Sequence, residues 1–155
     1  MLNQDLTTYF KTNLRFKILC IDILSRQYGF TNQQLIAFKD VLNFNASYLM
    51  RNKNIVWDLK TVDKLKDKIG WSGFYKVKGI ELDLAFFKKY ETLIDFGSIH
   101  LNEHIDWSNE LLDTFADKWN WNGLIMKPIT ARPRNIEKYY DYYNWDKFSS
   151  NWHLK

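Results

Sequence analysis

The string HLNEH, residues 100–104, is where side-chain types and spacing come closest to chemistry. It matches the H-x-x-E-H pattern, in which a helix offers two imidazoles to one zinc ion and the carboxylate acts as base. That chemistry needs His100 and His104 one helical turn apart on one face, with Glu103 beside them. The segment aligns, however, with YKVKG at 75–79 in the repeat that organises the chain, and the same connector holds Pro128 one unit later. A connector that accommodates proline is a poor host for a regular helix. Solvated loop histidines and no metal site are therefore the expectation, and no cofactor is implied.

Other catalytic signatures are absent from the sequence. It contains no G-x-x-x-x-G-K-[ST] loop, no G-x-S-x-G elbow and no dinucleotide-binding fingerprint, and 6 glycines leave little material for a phosphate cradle. Cys20 lies in an apolar stretch, which favours packing over nucleophilic chemistry. Most carboxylates are interleaved with Lys60, Lys64, Lys68, Lys88 and Lys89, as on a solvated helix face. An enzyme is not expected.

Residues suited to binding are more prominent. Tyr140 and Tyr142 fall in columns of the repeat that elsewhere hold mostly polar residues, and NWDKFSSNWHLK, with Trp152, continues them. Exposed aromatic clusters of this kind anchor protein interfaces; the alternative is that these rings pack as a cap on the end of the repeat array. Lys11, Arg15, Lys17 and Arg26 give the first third a basic bias: residues 1–54 carry 7 Lys/Arg against 3 Asp/Glu, while the rest is balanced. A protein partner is expected. The rival is nucleic acid, with these cations on phosphates and the tyrosines stacked on bases. A third possibility is a structural or virion component.

What must position these residues is a repeat. Aligning DVLNF (40–44), DKIGW (67–71), TLIDF (92–96), DKWNW (117–121) and DYYNW (141–145) gives spacings of 27, 25, 25 and 24 residues. Thirteen positions before each closing aromatic stand Thr31, Asp58, Asp83, Ser108 and Arg132. The first four are good helix N-caps, Thr31 with Gln34 fits a capping box, and Pro133 after Arg132 suits a first helical position. Apolar columns follow at i, i+3 and i+7: Leu35, Val62, Phe87, Leu112 and Ile136, then Phe38, Leu65, Tyr90, Phe115 and Tyr139, then Leu42, Ile69, Ile94, Trp119 and Tyr143. This stripe predicts a helix of about three turns in each unit. The closing aromatics Phe44, Trp71, Phe96, Trp121 and Trp145, together with Trp119, read as core, because their columns preserve size and apolarity. The acids Asp40, Asp67, Asp117 and Asp141 oppose the helix dipole, so a hydrogen bond from the indole or a turn amide is expected to compensate them.

The best copy, IDWSNELLDTFADKWNWNGL at 105–124, resembles a family of tandem repeats with the core W-S-x-E-L-x-x-x-F-x-D-K-W-D-W or D-K-V-D-W. These units occur in many uncharacterised proteins of bacteria, their phages and giant viruses. The resemblance implies a repeat scaffold and, by analogy, a small phage- or mobile-element-type effector, inhibitor or adaptor. It implies no chemistry.

The expected fold is all-α. Residues 1–30 form an amino-terminal capping helix region, with 16–24 readable as helix or strand; 31–148 hold five short helix-turn units stacked as a compact solenoid; 149–155 are a tail. With 155 residues, 46% hydrophobic, a single structural domain can bury a core without disulfides. One cysteine, no basic-then-apolar leader and no long apolar run point to the cytoplasm and away from membranes. Oligomeric state is left open.

Overall fold

A computed structural model of the chain describes residues 13–44, 47–125 and 127–146. The regular elements of the described residues are all helical, with no strand among them; the one isolated bridge pairs Leu82 with Ile105 in parallel. The chain divides at Ile80/Glu81 into two compact units.

The first unit holds α1 (Leu14–Gln27), α2 (Asn32–Ala37), α3 (Ser47–Met50), α4 (Leu59–Leu65) and a 3₁₀ helix, Trp71–Lys76. The isoleucines of 16–24 therefore lie in a helix, started by the Asn13 carboxamide, which accepts from the Phe16 amide at 3.0 Å. The second unit holds α5 (Leu84–Lys89), a 3₁₀ turn at Ile99–Leu101, α6 (Asn109–Thr114), α7 (Trp121–Leu124), α8 (Pro133–Lys138) and a 3₁₀ turn at Tyr140–Tyr142.

Cap chemistry explains where α2, α4, α5, α6 and α8 begin. Thr31 and Gln34 form a reciprocal capping box, while Asp58, Asp83 and Ser108 accept from the amides of Thr61, Phe86 and Leu111 at 2.6, 2.8 and 3.1 Å. Arg132 makes no side-chain cap, and Pro133 starts α8 in its place. A side-chain cap of this type contributes about 1 kcal/mol.

These five helices run for six or seven residues, under two turns, where the stripe predicts three. In α2, α5, α6 and α8 the reason lies at the second column. Phe38, Tyr90, Phe115 and Tyr139 are C-caps with ψ between 17° and 30°, off the helical path. A turn then resumes at once, since the amides of Leu42, Ile69, Ile94 and Trp119 each donate to the carbonyl four residues back. That bond returns the third column to the face of the first. Leu35, Val62, Phe87 and Leu112 are wholly buried, and Leu42, Ile69, Ile94, Trp119 and Tyr143 are buried as well. Each such side chain contributes roughly 1.5–3 kcal/mol.

In the second unit the closing aromatic of one segment packs into the columns of the next. Phe96 meets Phe115 and Trp119 at ring-centroid distances of 5.4 and 5.0 Å, and Trp121 meets Tyr139 and Tyr143 at 4.5 and 5.6 Å. Tilted and edge-on arrangements at these distances are the favourable ones for aromatic pairs. Trp119 and Trp121 are both buried.

Candidate interaction surface

The four acids before the closing aromatics do not have the partner expected of them. Instead, the indole N–H of Trp71, Trp121 and Trp145 donates to the carbonyl five residues upstream, in Lys66, Ala116 and Tyr140, at 3.0, 2.7 and 3.0 Å. The last carbonyls of a short helix have no intrahelical donor, and the indole satisfies one of them. Asp67, Asp117 and Asp141 are exposed, so water solvates their charge. Asp40 accepts from the Lys68 ammonium at 2.9 Å, which holds its carboxyl below the usual range.

That ion pair has counterparts. Lys118 pairs with Glu91, and Lys138 reaches Asp113 at 2.6 Å, in each case 25 to 28 residues apart. The Tyr139 hydroxyl also donates to Asp113, at 2.7 Å. Burial opposes ionisation of Asp113, but Lys138 and Tyr139 outweigh it and lower its pKa. The Tyr139 phenol is pushed far up, first by burial and then by the adjoining carboxylate. Scanning the sequence for acids and bases one unit apart would have found these pairs.

At the carboxyl end of the described chain, Tyr140 and Tyr142 are 56% and 46% exposed, despite being large and apolar. Tyr140 stacks on Trp145 at 4.6 Å and 29°, and the Trp145 indole is fixed by its bond to the Tyr140 carbonyl. Tyr142 lies against Trp121 at 5.2 Å. The result is a ledge of rings whose orientation is set before any partner arrives. Trp152 lies outside the described residues.

The basic candidates do not act together. Arg26 is bound to Asp22 at 2.9 Å and sits 3.6 Å from the centre of the Tyr48 ring, so its cation is already engaged. Arg15 and Lys17 are exposed on α1, and Lys11 lies outside the described residues. Phe44 is buried, while Trp71 is half-buried and stacks on Phe74 at 4.7 Å. Cys20 is a half-buried thiol of α1.

His100 is buried, contrary to the expectation of a solvated loop histidine: it belongs to the 3₁₀ turn Ile99–Leu101 and is 6% exposed. The space for its ring exists because residue 123 is glycine. A Cβ there would lie 2.1 Å from His100 Nε2. Burial, and next the charge of Lys127, lower the imidazole pKa, although Asp95 and the Gly97 carbonyl pull the other way. Asn102 leaves the helical path with ψ of 130°, so His104 and Glu103 stay exposed and do not share a helix face with His100. Among the described residues no cluster of three or more His, Cys, Asp or Glu side chains could hold a metal ion.

No family model, curated protein or solved structure matches this chain. Among the described residues no helix is long and apolar enough to cross a membrane.

Proposed function

We propose that the chain is a non-enzymatic helical-repeat scaffold that binds a macromolecular partner, a protein, through the aromatic ledge of Tyr140, Tyr142 and Trp145. In this reading α2, α4, α5, α6 and α8 open successive units of a small solenoid. Their starts recur every 24 to 27 residues, and ion pairs join positions one unit apart, which supports it. The observation that carries the binding assignment is the exposed Tyr140 ring, stacked on the half-buried Trp145, whose indole is held by a main-chain hydrogen bond. Rigid aromatic side chains lose little entropy on binding and bury a large area, which is why they dominate interface energetics. The engagement of Arg26 by Asp22 and Tyr48 favours a protein over nucleic acid as the partner. An effector or adaptor of phage or mobile-element type rests, by analogy, on the motif resemblance at 105–124 alone. Affinity capture of the tagged chain from lysate of its own cells, with and without nuclease, tests the assignment. A discrete protein retained after nuclease supports it; recovery that vanishes with nuclease assigns nucleic acid instead.

A further inference from the structure

α1 carries its apolar side chains largely outside the core of its own unit. Leu14, Ile18, Leu19, Ile23 and Leu24 are 69%, 58%, 52%, 48% and 45% exposed, and Ser25 is the buried residue of the helix. The carboxyl end of α1 is fixed: Asn52 Nδ2 donates to the Ser25 and Tyr28 carbonyls at 3.1 and 2.8 Å, and Asn54 Nδ2 to that of Gln27 at 2.7 Å. Along the helix, from Arg15 to Ser25, runs an open groove of about 510 Å³, lined also by Ile18, Leu19, Asp22 and Val41. A helix of this length is marginal by itself, and monomers rarely leave a contiguous apolar patch of more than roughly a few hundred Å².

The order of residues on this face identifies what covers it. At 3.6 residues per turn, Arg15 and Asp22 are two turns apart and share one line along the helix. Ile18 and Leu19 flank that line between them, one on each side, and Leu14 and Ile23 lie farther out, again one on each side. The stretch L-R-x-x-I-L-x-x-D-I, residues 14–23, thus reads alike from both ends except that its two charges are opposite. A face with that pattern is complementary to itself when the second helix runs the other way. A parallel copy would set Arg15 against Arg15 and Asp22 against Asp22.

We propose that α1 is the interface of a two-fold symmetric homodimer, packed antiparallel about the midpoint between Ile18 and Leu19. Arg15 of each copy meets Asp22 of the other, Ile18 and Leu19 pack across the two-fold axis, and Leu14 and Ile23 border the contact on opposite flanks. Such an isologous contact closes on itself and stops at two copies. Asp22 then lies between its own Arg26 and the second copy's Arg15. The inference uses no part of the Tyr140 ledge, so it and the partner assignment stand or fall separately.

Sedimentation velocity across a dilution series tests it. Wild type is expected to dimerise reversibly. Arg15→Asp alone and Asp22→Arg alone each turn both charge contacts into repulsions, and should weaken the dimer at least about tenfold. An equimolar mixture of the two variants should recover dimer, because aspartates at 15 and 22 of one chain then face arginines at 22 and 15 of the other. Ile18→Asp should give monomer with an unchanged circular-dichroism spectrum. A monomeric wild type, a dimer indifferent to Ile18→Asp, or no recovery in the mixture would each overturn the proposal.

Discussion

Replacing Gly123 by alanine poses a question of sign. Gly123 lies inside α7, where exchanging glycine for alanine ordinarily stabilises a helix by about 0.5–1 kcal/mol. Its backbone permits the change, since Gly79 is the glycine with positive φ among the described residues. The added Cβ, however, would lie 2.1 Å from His100 Nε2 and 2.6 Å from both neighbouring ring carbons, well inside a contact distance of roughly 3.5–4 Å. The ring must retreat by more than about 1 Å to relieve this. It has little room, because His100 is itself buried and both Ile99 and Leu124 are at most 1% exposed. Overpacking of this kind costs typically about 1–3 kcal/mol, which exceeds the helical gain. Gly123→Ala should therefore destabilise by about 1 kcal/mol net and lower Tm by about 2–4 °C for a chain of this size. Thermal denaturation followed by circular dichroism measures it, and His100→Ala supplies the control. With the ring removed, the same Gly123→Ala change should become neutral or stabilising. A single variant as stable as wild type, or an equal loss in both backgrounds, would refute the contact.

Three further outcomes follow from particular atoms. Because burial lowers the His100 pKa, the unfolded chain takes up that proton first as pH falls through about 6.5; stability should be level above that range and decline below it, by at most about 1.4 kcal/mol per pH unit, and His100→Leu should flatten this part of a pH series of urea melts. Asp58→Ala removes the acceptor for the Thr61 amide and should cost about 1 kcal/mol, whereas Arg132→Ala, at a start without a side-chain cap, should be near neutral when the two are compared by chemical denaturation. Trp121→Phe strands the Ala116 carbonyl and thins the contact with Tyr139, so a loss of about 1–3 kcal/mol is expected in equilibrium unfolding. Trp119→Phe should lose packing alone, since its indole N–H finds no acceptor among the described residues.

The helix starts were legible because capping is local: a side-chain oxygen and an amide three residues on are enough, and Thr31, Asp58, Asp83 and Ser108 announce themselves. Helix ends were not. Periodicity records which side a residue faces, and a broken helix followed by a turn with an i→i−4 bond keeps Leu42 or Ile94 on the same side as a continuous helix would. The mistaken partner for the repeated acids has a similar origin. Sequence shows that a carboxylate and an indole recur four residues apart, but the nearer acceptor is a main-chain carbonyl, which no pattern of side chains displays. Burial of His100 depends on an absent Cβ at Gly123, 23 residues away, and single-sequence spacing carries no sign of that contact. Tyr140 and Tyr142 were visible because they break the polarity of their columns, and both are exposed.

The claim that most needs a direct test is that the aromatic ledge holds a protein partner. Once a nuclease-resistant partner has been captured, its affinity should be measured by titration calorimetry against wild type, Tyr140→Asp and Lys17→Asp. Substitution of an exposed ring leaves the core intact, so Tyr140→Asp should melt within about 1–2 °C of wild type. It should nonetheless weaken binding about thirtyfold, the loss of an anchor contributing about 2 kcal/mol, while Lys17→Asp binds as wild type does. Equal affinity for wild type and Tyr140→Asp, or a loss confined to Lys17→Asp, would contradict the account.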